Sequence, residues 1–401
     1  LVVGLFNDSF DPILDGVGVC VRNYAHWMKS WGSSPVVITP SVPNYEDHNE
    51  FSVLRFRSVQ LPAMAPYRAG LPGLDPEFLR RVYNIEFDLV HAHCPFVSGS
   101  VALKIARKRG IPIVATFHSK YREDLRKALY FEKTADLALS YIIRFYEAAD
   151  YVWVPNEATA RTLRDYGYEG SLEIMPNGAD LPVPTPAEYA SYREAGRRYL
   201  DVDGGTFVFL FIGQHRWEKN VRLIIDAMKA LSERSVRYRM VFGGSGYAEK
   251  EMKKLVSRYR IEESVSFLGA IVEREEIKRL YAAADLFLFP SMYDTVGLVV
   301  REAAAFGLPS VLTVRSSAAE GIVDGENGFL TENSVDRFVE KLGEIMGSEA
   351  ARRRAGEGAR ETIYVSWEHV VRRVEGRYRS IIEEFRDFGG HRHEARSLPD
   401  Q

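Results

Sequence analysis

The segment 290–309, PSMYDTVGLVVREAAAFGLP, holds two carboxylates, Asp294 and Glu302, separated by seven residues. Asp294 follows the apolar run LFLFPS, and Glu302 sits among Val299, Val300, Ala303, Ala304 and Ala305 in a stretch patterned as a helix. A carboxylate in apolar company is costly unless something pairs with it. Glu302 therefore faces either solvent or a ligand. A helix beginning at about Gly297 leaves its first backbone N–H groups without intrahelical partners, which makes a seat for phosphate or sugar oxygens. Carboxylates suit sugar hydroxyls because each oxygen accepts from donors in fixed directions. By spacing alone, an Asp helix cap followed by a solvated Glu is the competing reading.

Such groups need a frame to hold them. From the start of the chain, short apolar runs alternate with amphipathic stretches: LVVGLF, PVVITP, DLVHAH, IPIVATFH and YVWVP read as strands, with helical segments between most of them. The alternation predicts an α/β fold with a parallel, doubly wound sheet. No G-x-G-x-x-G follows the first strand, so a dinucleotide fingerprint is absent. The pattern breaks near 177–206, where three prolines fall within five residues, then a helix-like stretch and paired glycines follow, which reads as the domain junction. It then restarts with TFVFLFIG, YRMVFGGSG, VSFLGA, LFLFPS and SVLTV. The expected division is a domain 1–180, a linker 181–205, a second domain 206–366, and a tail 389–401 that reads as disordered.

Ligands of open parallel sheets bind outside the carboxyl ends of the strands. That rule selects the loop Asp15–Gly18, His91, His93, His118, the segment 213–219, and the glycines 243–246 as well as 294–302. His118 follows IPIVATF and is read as a contact to sugar or acceptor, against a structural histidine bonded to backbone. His91 and His93 share one strand face while Cys94 points to the other; without a third ligand no metal site is expected there, and His93 is read as lining the site. Asp201-Val202-Asp203 is a D-x-D pair but precedes Gly204-Gly205, which makes it a turn. Gly243-Gly244-Ser245-Gly246 reads equally as a phosphate or base contact and as a tight turn.

The pattern P-S-x-x-D-x-x-G-L-V-V-x-E-A-A-A-x-G-L-P resembles the signature of a large family of retaining glycosyltransferases with the GT-B fold, which includes sucrose synthases, phosphatidylinositol mannosyltransferases and diacylglycerol glucosyltransferases. The resemblance covers nearly the whole chain. DGVGVCVRNYAHWMKSWG is similar to the family's N-terminal glycine loop and first helix, HAHCPF and ATFHSKY to its acceptor-side strand ends, and IMPNGAD to its lead into the linker. It implies two doubly wound Rossmann-like domains facing across a cleft, the first for acceptor and the second for donor, with the helix at about 367–388 packing back onto the first. It further implies that Asp294 and the amides of Thr295, Val296, Gly297 and Leu298 hold the donor sugar, that Glu302 binds the ribose, and that Gly16 and Gly18 let backbone approach the diphosphate. Gly213, Gly244 and Lys219 join this donor set, and His93, His118 and Tyr121 the acceptor side. His118, Asp294 and Lys219 are the expected catalytic residues. Where the family commonly reads G-R-L-x-x-E-K, this chain reads Gly213-Gln214-His215-Arg216-Trp217-Glu218-Lys219; the lysine matches, and the arginine position holds the uncharged Gln214. One cation of the diphosphate clamp is therefore missing or is supplied by Arg216.

The composition is consistent with an enzyme of ordinary globular type: 46% hydrophobic and 27% charged residues. A net charge of −3 argues against a dedicated nucleic-acid binder. Two cysteines, Cys20 and Cys94, give no disulfide framework and point to a reducing, cytoplasmic setting. The segments 101–109 and 120–133 mix Lys104, Arg107, Lys108, Arg109, Lys120, Arg122, Arg126 and Lys127 with Tyr121, Leu125, Leu129, Tyr130 and Phe131. Such a surface is either a solvated helix face or a peripheral contact with the inner face of a membrane. The expectation is a retaining hexosyltransferase that uses a UDP- or GDP-sugar, needs no metal or other cofactor, and acts on a membrane glycerolipid or a small-molecule acceptor. A sugar-nucleotide epimerase of the same fold and a non-catalytic sugar-nucleotide-binding subunit are the alternatives.

Overall fold

In the computed structural model, residues 1–13, 15–60, 67–128, 132–234 and 236–387 are described. The strands arise from runs of Val, Ile, Leu and Phe that are too short for helices and lie buried on both faces. Leu89–Ala92, Ile113–Thr116, Leu286–Phe289 and Ser310–Thr313 are buried at every position. Only an inner place in a sheet covered by helices on both sides gives such a strand a home.

The first unit comprises Leu1–Asn177 and the helix Trp367–Asp387. Its strands are β1 (Val2–Phe6), β2 (Ser34–Pro40), β3 (Ser52–Phe56), β4 (Ser58–Gln60), β5 (Arg68–Gly70), β6 (Leu89–Ala92), β7 (Ile113–Thr116), β8 (Tyr151–Val154) and β9 (Glu173–Ile174). Seven of them form one parallel sheet in the order β3-β2-β1-β6-β7-β8-β9, while β4 and β5 pair antiparallel. The strand order reverses between β1 and β6. The helix Trp367–Asp387 is tied in by Tyr378, whose ring stacks on Trp153 with centroids 5.4 Å apart, and by Glu375, which accepts from Ser33 Oγ at 2.8 Å.

The second unit, Gly178–Ser366, repeats the plan with β10 (Phe207–Ile212), β11 (Tyr238–Gly243), β12 (Val265–Gly269), β13 (Leu286–Phe289), β14 (Ser310–Thr313) and β15 (Phe329–Thr331). Their order is β12-β11-β10-β13-β14-β15, all parallel, with the reversal between β10 and β13. In each unit the loops after the two strands at the reversal are where a doubly wound sheet opens a crevice for ligand.

The stretch 181–205, which the sequence presents as a junction with a helix-like segment, belongs to the second unit. Residues Pro186–Tyr199 form a helix of the second unit, started by a reciprocal capping box between Thr185 and Glu188. Arg193 and Arg197 pair with Asp285, and a side chain at Gly196 would meet the carbonyl oxygen of Arg279 at 2.2 Å. The prolines mark the helix start rather than a break. The apolar runs of the sequence do not mark β3, β4, β5, β9 or β15, because these strands are short and mix polar with apolar residues. Leu129, Tyr130, Phe131, the Lys127 side chain and the tail 389–401 lie outside the described residues. Among the described residues, no helix is long and apolar enough to cross a membrane.

Candidate functional site

In the second unit, β10 runs into Gly213, an exposed Gln214, a buried His215 and a short 3-10 turn, Trp217–Lys219. The loop after β11 lies directly against it. His215 N donates to Ser245 O at 2.9 Å, and a Cβ at Gly244 would stand 2.0 Å from Gly213 O, one at Gly246 2.3 Å from His215 O. This backbone-to-backbone packing alone requires glycine at 244 and 246, so the tight-turn reading accounts for them without a ligand. Neither ring nitrogen of His215 has a hydrogen-bond partner; Nδ1 lies 3.4 Å from Glu249 Oε2, and burial holds the ring's pKa below the usual histidine value.

The turn delivers Lys219 to the end of β13, where its ammonium pairs with Asp294 Oδ1. Both side chains are largely enclosed, at 15% and 18% exposure, and Asp294 Oδ2 is buried with no hydrogen-bond partner. Arg216 places its guanidinium 5.5 Å from the ring centroid of Tyr293, with Nη1 3.5 Å from Gln214 Oε1 and Nε 3.6 Å from Glu218 Oε2. A second cation is thus carried by the same loop as Lys219, two residues from the position that the family pattern assigns to arginine.

Gly297 caps the following helix, Leu298–Ala305, in the left-handed conformation with φ +65°, and a Cβ there would crowd Ala318 at 3.1 Å. The helix start carries no side-chain cap, so Asp294 is not the helix cap that the competing reading made of it. Val296 and Gly297 are buried there, and Thr295 and Leu298 are partly buried.

Glu302, one turn into this helix, is not alone among apolar residues. Tyr281 Oη donates to its Oε2 at 2.9 Å, and Arg274, paired with Asp180, bears on it electrostatically. Burial first, and the Asp180 charge second, raise its pKa to about 7, against the opposing effects of the Tyr281 hydrogen bond and Arg274. Tyr281, Arg274 and Asp180 escaped the sequence reading of this site. Tyr281 sits at helical spacing in EREEIKRLYAAAD and looks like any core aromatic.

In the first unit three histidines stack. His91 and His93 ring centroids lie 4.0 Å apart, and His93 and His118 5.4 Å. His91, selected above as a strand-end candidate, is structural: Tyr378 Oη holds its Nδ1 at 2.5 Å and Thr116 Oγ1 its Nε2 at 2.6 Å. His93 Nδ1 lies 3.1 Å from His118 Nε2, while His93 Nε2 is buried without a partner. Burial keeps all three rings neutral, with the His118 pKa lowered to about 3. Cys94 does point away from them, toward Asp8 and Ser98. Cys20 does not: its sulfur and one nitrogen each of His93 and His118 all lie within 4.8 Å of one another.

Gly16 and Gly18 open the helix Gly16–Ser30; Gly16 is exposed, and the Gly18 amide is taken by the Asp15 carboxylate at 2.7 Å. Tyr121 is packed edge-on between Phe96 and Phe117. Asp203 accepts from Gly205 N and Thr206 Oγ1, so the D-x-D is a turn. Of the basic residues, Arg109 is spent on the carbonyls of Tyr83 and Ile85, and Arg122 lies over the Tyr166 ring. On the neighbouring helix Glu132–Ala148, Leu137 and Tyr141 are 73% and 59% exposed.

Residues 193–362 match the family described as Glycosyl transferases group 1, and residues 14–182 match Glycosyltransferase Family 4. The chain is 24% identical over 311 residues to an alpha-monoglucosyldiacylglycerol synthase of Streptococcus pneumoniae, across 77% of this chain and 70% of that protein. Among solved structures, a sucrose-phosphate synthase from Thermosynechococcus elongatus matches with a TM-score of 0.77 at 20% identity, over 96% of this chain and 99% of the other. Anabaena HepE in complex with UDP-glucose matches with a TM-score of 0.75 at 19% identity, over 94% and 99%. At such identities the structural matches speak to the fold.

Proposed function

Because this chain belongs to the group 1 glycosyltransferases with the GT-B fold, we propose that it moves a hexose from a UDP- or GDP-sugar to an acceptor hydroxyl with retention of anomeric configuration. The observation that carries the donor half is the Lys219–Asp294 pair at the strand-order reversal of the second unit, with Glu302 following at the family spacing. Lys219, Arg216 and the amides opening the helix at Leu298 stabilise charge that develops on the leaving diphosphate. Asp294, with one oxygen unpartnered, takes a sugar hydroxyl, and Glu302 takes the ribose hydroxyls.

From the first unit, His118 contacts the sugar or acceptor as a neutral ring that donates or accepts one hydrogen bond. The departing phosphate takes the acceptor proton, so no strong protein base is needed, and no metal is required. A glycerolipid is the proposed acceptor. The resemblance to an alpha-monoglucosyldiacylglycerol synthase supports it, as do the exposed Leu137 and Tyr141 near a basic helix, which suit a peripheral contact with the cytoplasmic face of a membrane. The match to HepE, solved with UDP-glucose, favours UDP-glucose as the first donor to try.

The test is a panel of UDP- and GDP-hexoses scored by nucleotide release, with and without lipid extract. The proposal expects release that depends on lipid. Donor isomerised without acceptor would point to an epimerase, and nucleotide bound without turnover to a binding subunit; either result overturns the reading.

A further inference from the structure

We propose that Cys20, His93 and His118 form a site for a thiophilic metal ion, with Zn²⁺ as the probe, and that filling it switches transfer off. The binding half stands on geometry alone. The switching half rests on the proposed role of His118.

Three neighbouring segments of the first sheet converge here. Cys20 comes from the second turn of the helix that follows β1, His93 from the end of β6, and His118 from the end of β7, and these strands are adjacent in the order β1-β6-β7. The three ligand atoms lie within 4.8 Å of one another, and the side chains are 0%, 1% and 7% exposed. Two nitrogens and a sulfur around a tetrahedral zinc ion stand about 3.3–3.6 Å apart, given bond lengths near 2.0 and 2.3 Å. His93 Nδ1 and His118 Nε2, at 3.1 Å, are already near that separation. The sulfur has to move in by up to about 1.3 Å.

The donor set of one thiol and two imidazoles selects Zn²⁺ or Cu⁺ over Mg²⁺ or Ca²⁺. The ring of His93 is also held from behind: it stacks on His91, which Tyr378 and Thr116 fix through both nitrogens, and Tyr24 packs edge-on at 5.4 Å. Asn177 Oδ1 lies 3.8 Å from the Cys20 sulfur and can support a bound thiolate's neighbourhood only as a polar neighbour, not as its donor.

On binding, Zn²⁺ replaces the thiol proton: Cys20 loses one H⁺ to solvent, the hydrogen bond between His93 and His118 breaks, and a Zn–S bond and two Zn–N bonds form in place of bonds from zinc to water, with no electron transferred. Three protein ligands leave the fourth position to water or an anion. His118 then spends a ring nitrogen on the metal. With Nε2 on the metal, Nδ1 of the neutral ring must carry the proton, so it can still donate to sugar or acceptor but no longer accept from them, and the ion acts as a reversible inhibitor of a reaction that itself needs none.

The experiment uses the full chain, stripped of metal. Zn²⁺ is titrated in competition with a chromophoric chelator, and Co²⁺ is added separately to look for thiolate-to-cobalt charge transfer. We expect one equivalent bound, with the thiolate band, and affinity at least about tenfold lower in Cys20→Ala and His93→Gln. Cys20→Ser, checked by circular dichroism, serves if Cys20→Ala does not fold. In the lipid-dependent assay, Cys20→Ala should turn over without zinc as the parent does, and should escape zinc inhibition. No zinc bound by the parent, or equal affinity in the parent and all three variants, overturns the site. Zinc bound through Cys20 without inhibition overturns the switch. Absence of turnover with every donor would instead sink the transferase reading, while the binding measurement stands apart from it.

Discussion

The hydroxyl of Tyr281, on the helix Arg274–Ala283, donates to Glu302 Oε2 at 2.9 Å, joining the helix before β13 to the helix after it. The same hydroxyl lies 3.3 Å from Val299 O. A carboxylate that would otherwise rotate is thereby aimed, and its charged form is favoured.

Tyr281→Phe should weaken binding of free nucleotide at pH 7 by about 1 kcal/mol, roughly fivefold, because the aimed carboxylate loses a donor and holds its proton to higher pH. Calorimetry with UDP or GDP checks this. Affinity unchanged in a folded variant would mean that Glu302 is not the ribose ligand or that Arg274 aims it alone.

The pH dependence has a definite sign. The Glu302 pKa is raised from 4.5 to about 7, with burial first and Asp180 second pushing it up and Tyr281 and Arg274 pulling it down. Folding therefore retains a proton that the unfolded chain releases, so stability falls as pH rises from about 4.5 to about 7 and levels off above that. Ribose hydroxyls donate to the carboxylate form, so nucleotide affinity should climb by up to about tenfold in all between pH 6 and pH 8. Glu302→Gln should flatten that profile, cost about 1–2 kcal/mol of nucleotide affinity at pH 8, and raise the melting temperature there because a partly buried charge is gone. A variant that keeps the parent's pH profile contradicts the assignment.

Lys219 and Asp294 neutralise each other in the absence of ligand. Asp294→Ala releases the ammonium, so free nucleotide diphosphate should bind as tightly as before or tighter, while transfer falls by about two orders of magnitude or more. Lys219→Ala should show the opposite pattern in binding, losing diphosphate affinity. Equal loss of nucleotide binding and turnover in Asp294→Ala would refute this division of labour.

Arg216 stacks on Tyr293 beside the uncharged Gln214. Arg216→Ala should weaken UDP or GDP far more than the matching nucleoside, and Arg216→Lys should not restore it, because an ammonium cannot stack as a planar guanidinium does. Full rescue by lysine would reduce Arg216 to a bystander charge.

Transfer should survive exhaustive chelation, and should rise if zinc was bound at Cys20. The product should keep the donor's anomeric configuration, read from the coupling of the anomeric proton by NMR. Loss of activity that magnesium or manganese restores, or an inverted product, would contradict the mechanism.

What the chain reveals by itself is what lies close along it. Strands buried on both faces print as unbroken apolar runs, so most inner strands of both sheets were legible; polar edges such as β9 print nothing distinctive. Asp294, Gly297 and Glu302 fall within one strand–turn–helix segment, and their spacing survives folding unchanged. The helical pattern of Pro186–Tyr199 is legible in the sequence, but its flanking prolines and glycines read as a domain junction, and only its burial against Asp285 and Arg279 assigns it to the second unit. Contacts between distant segments were beyond reach. Tyr281 meets Glu302, Arg274 meets Asp180, and Cys20 meets His93 and His118 because of strand order and helix packing, which no local pattern encodes. Side-chain type and period tell which face is buried; which partner waits on that face is set by the long-range register of the sheet.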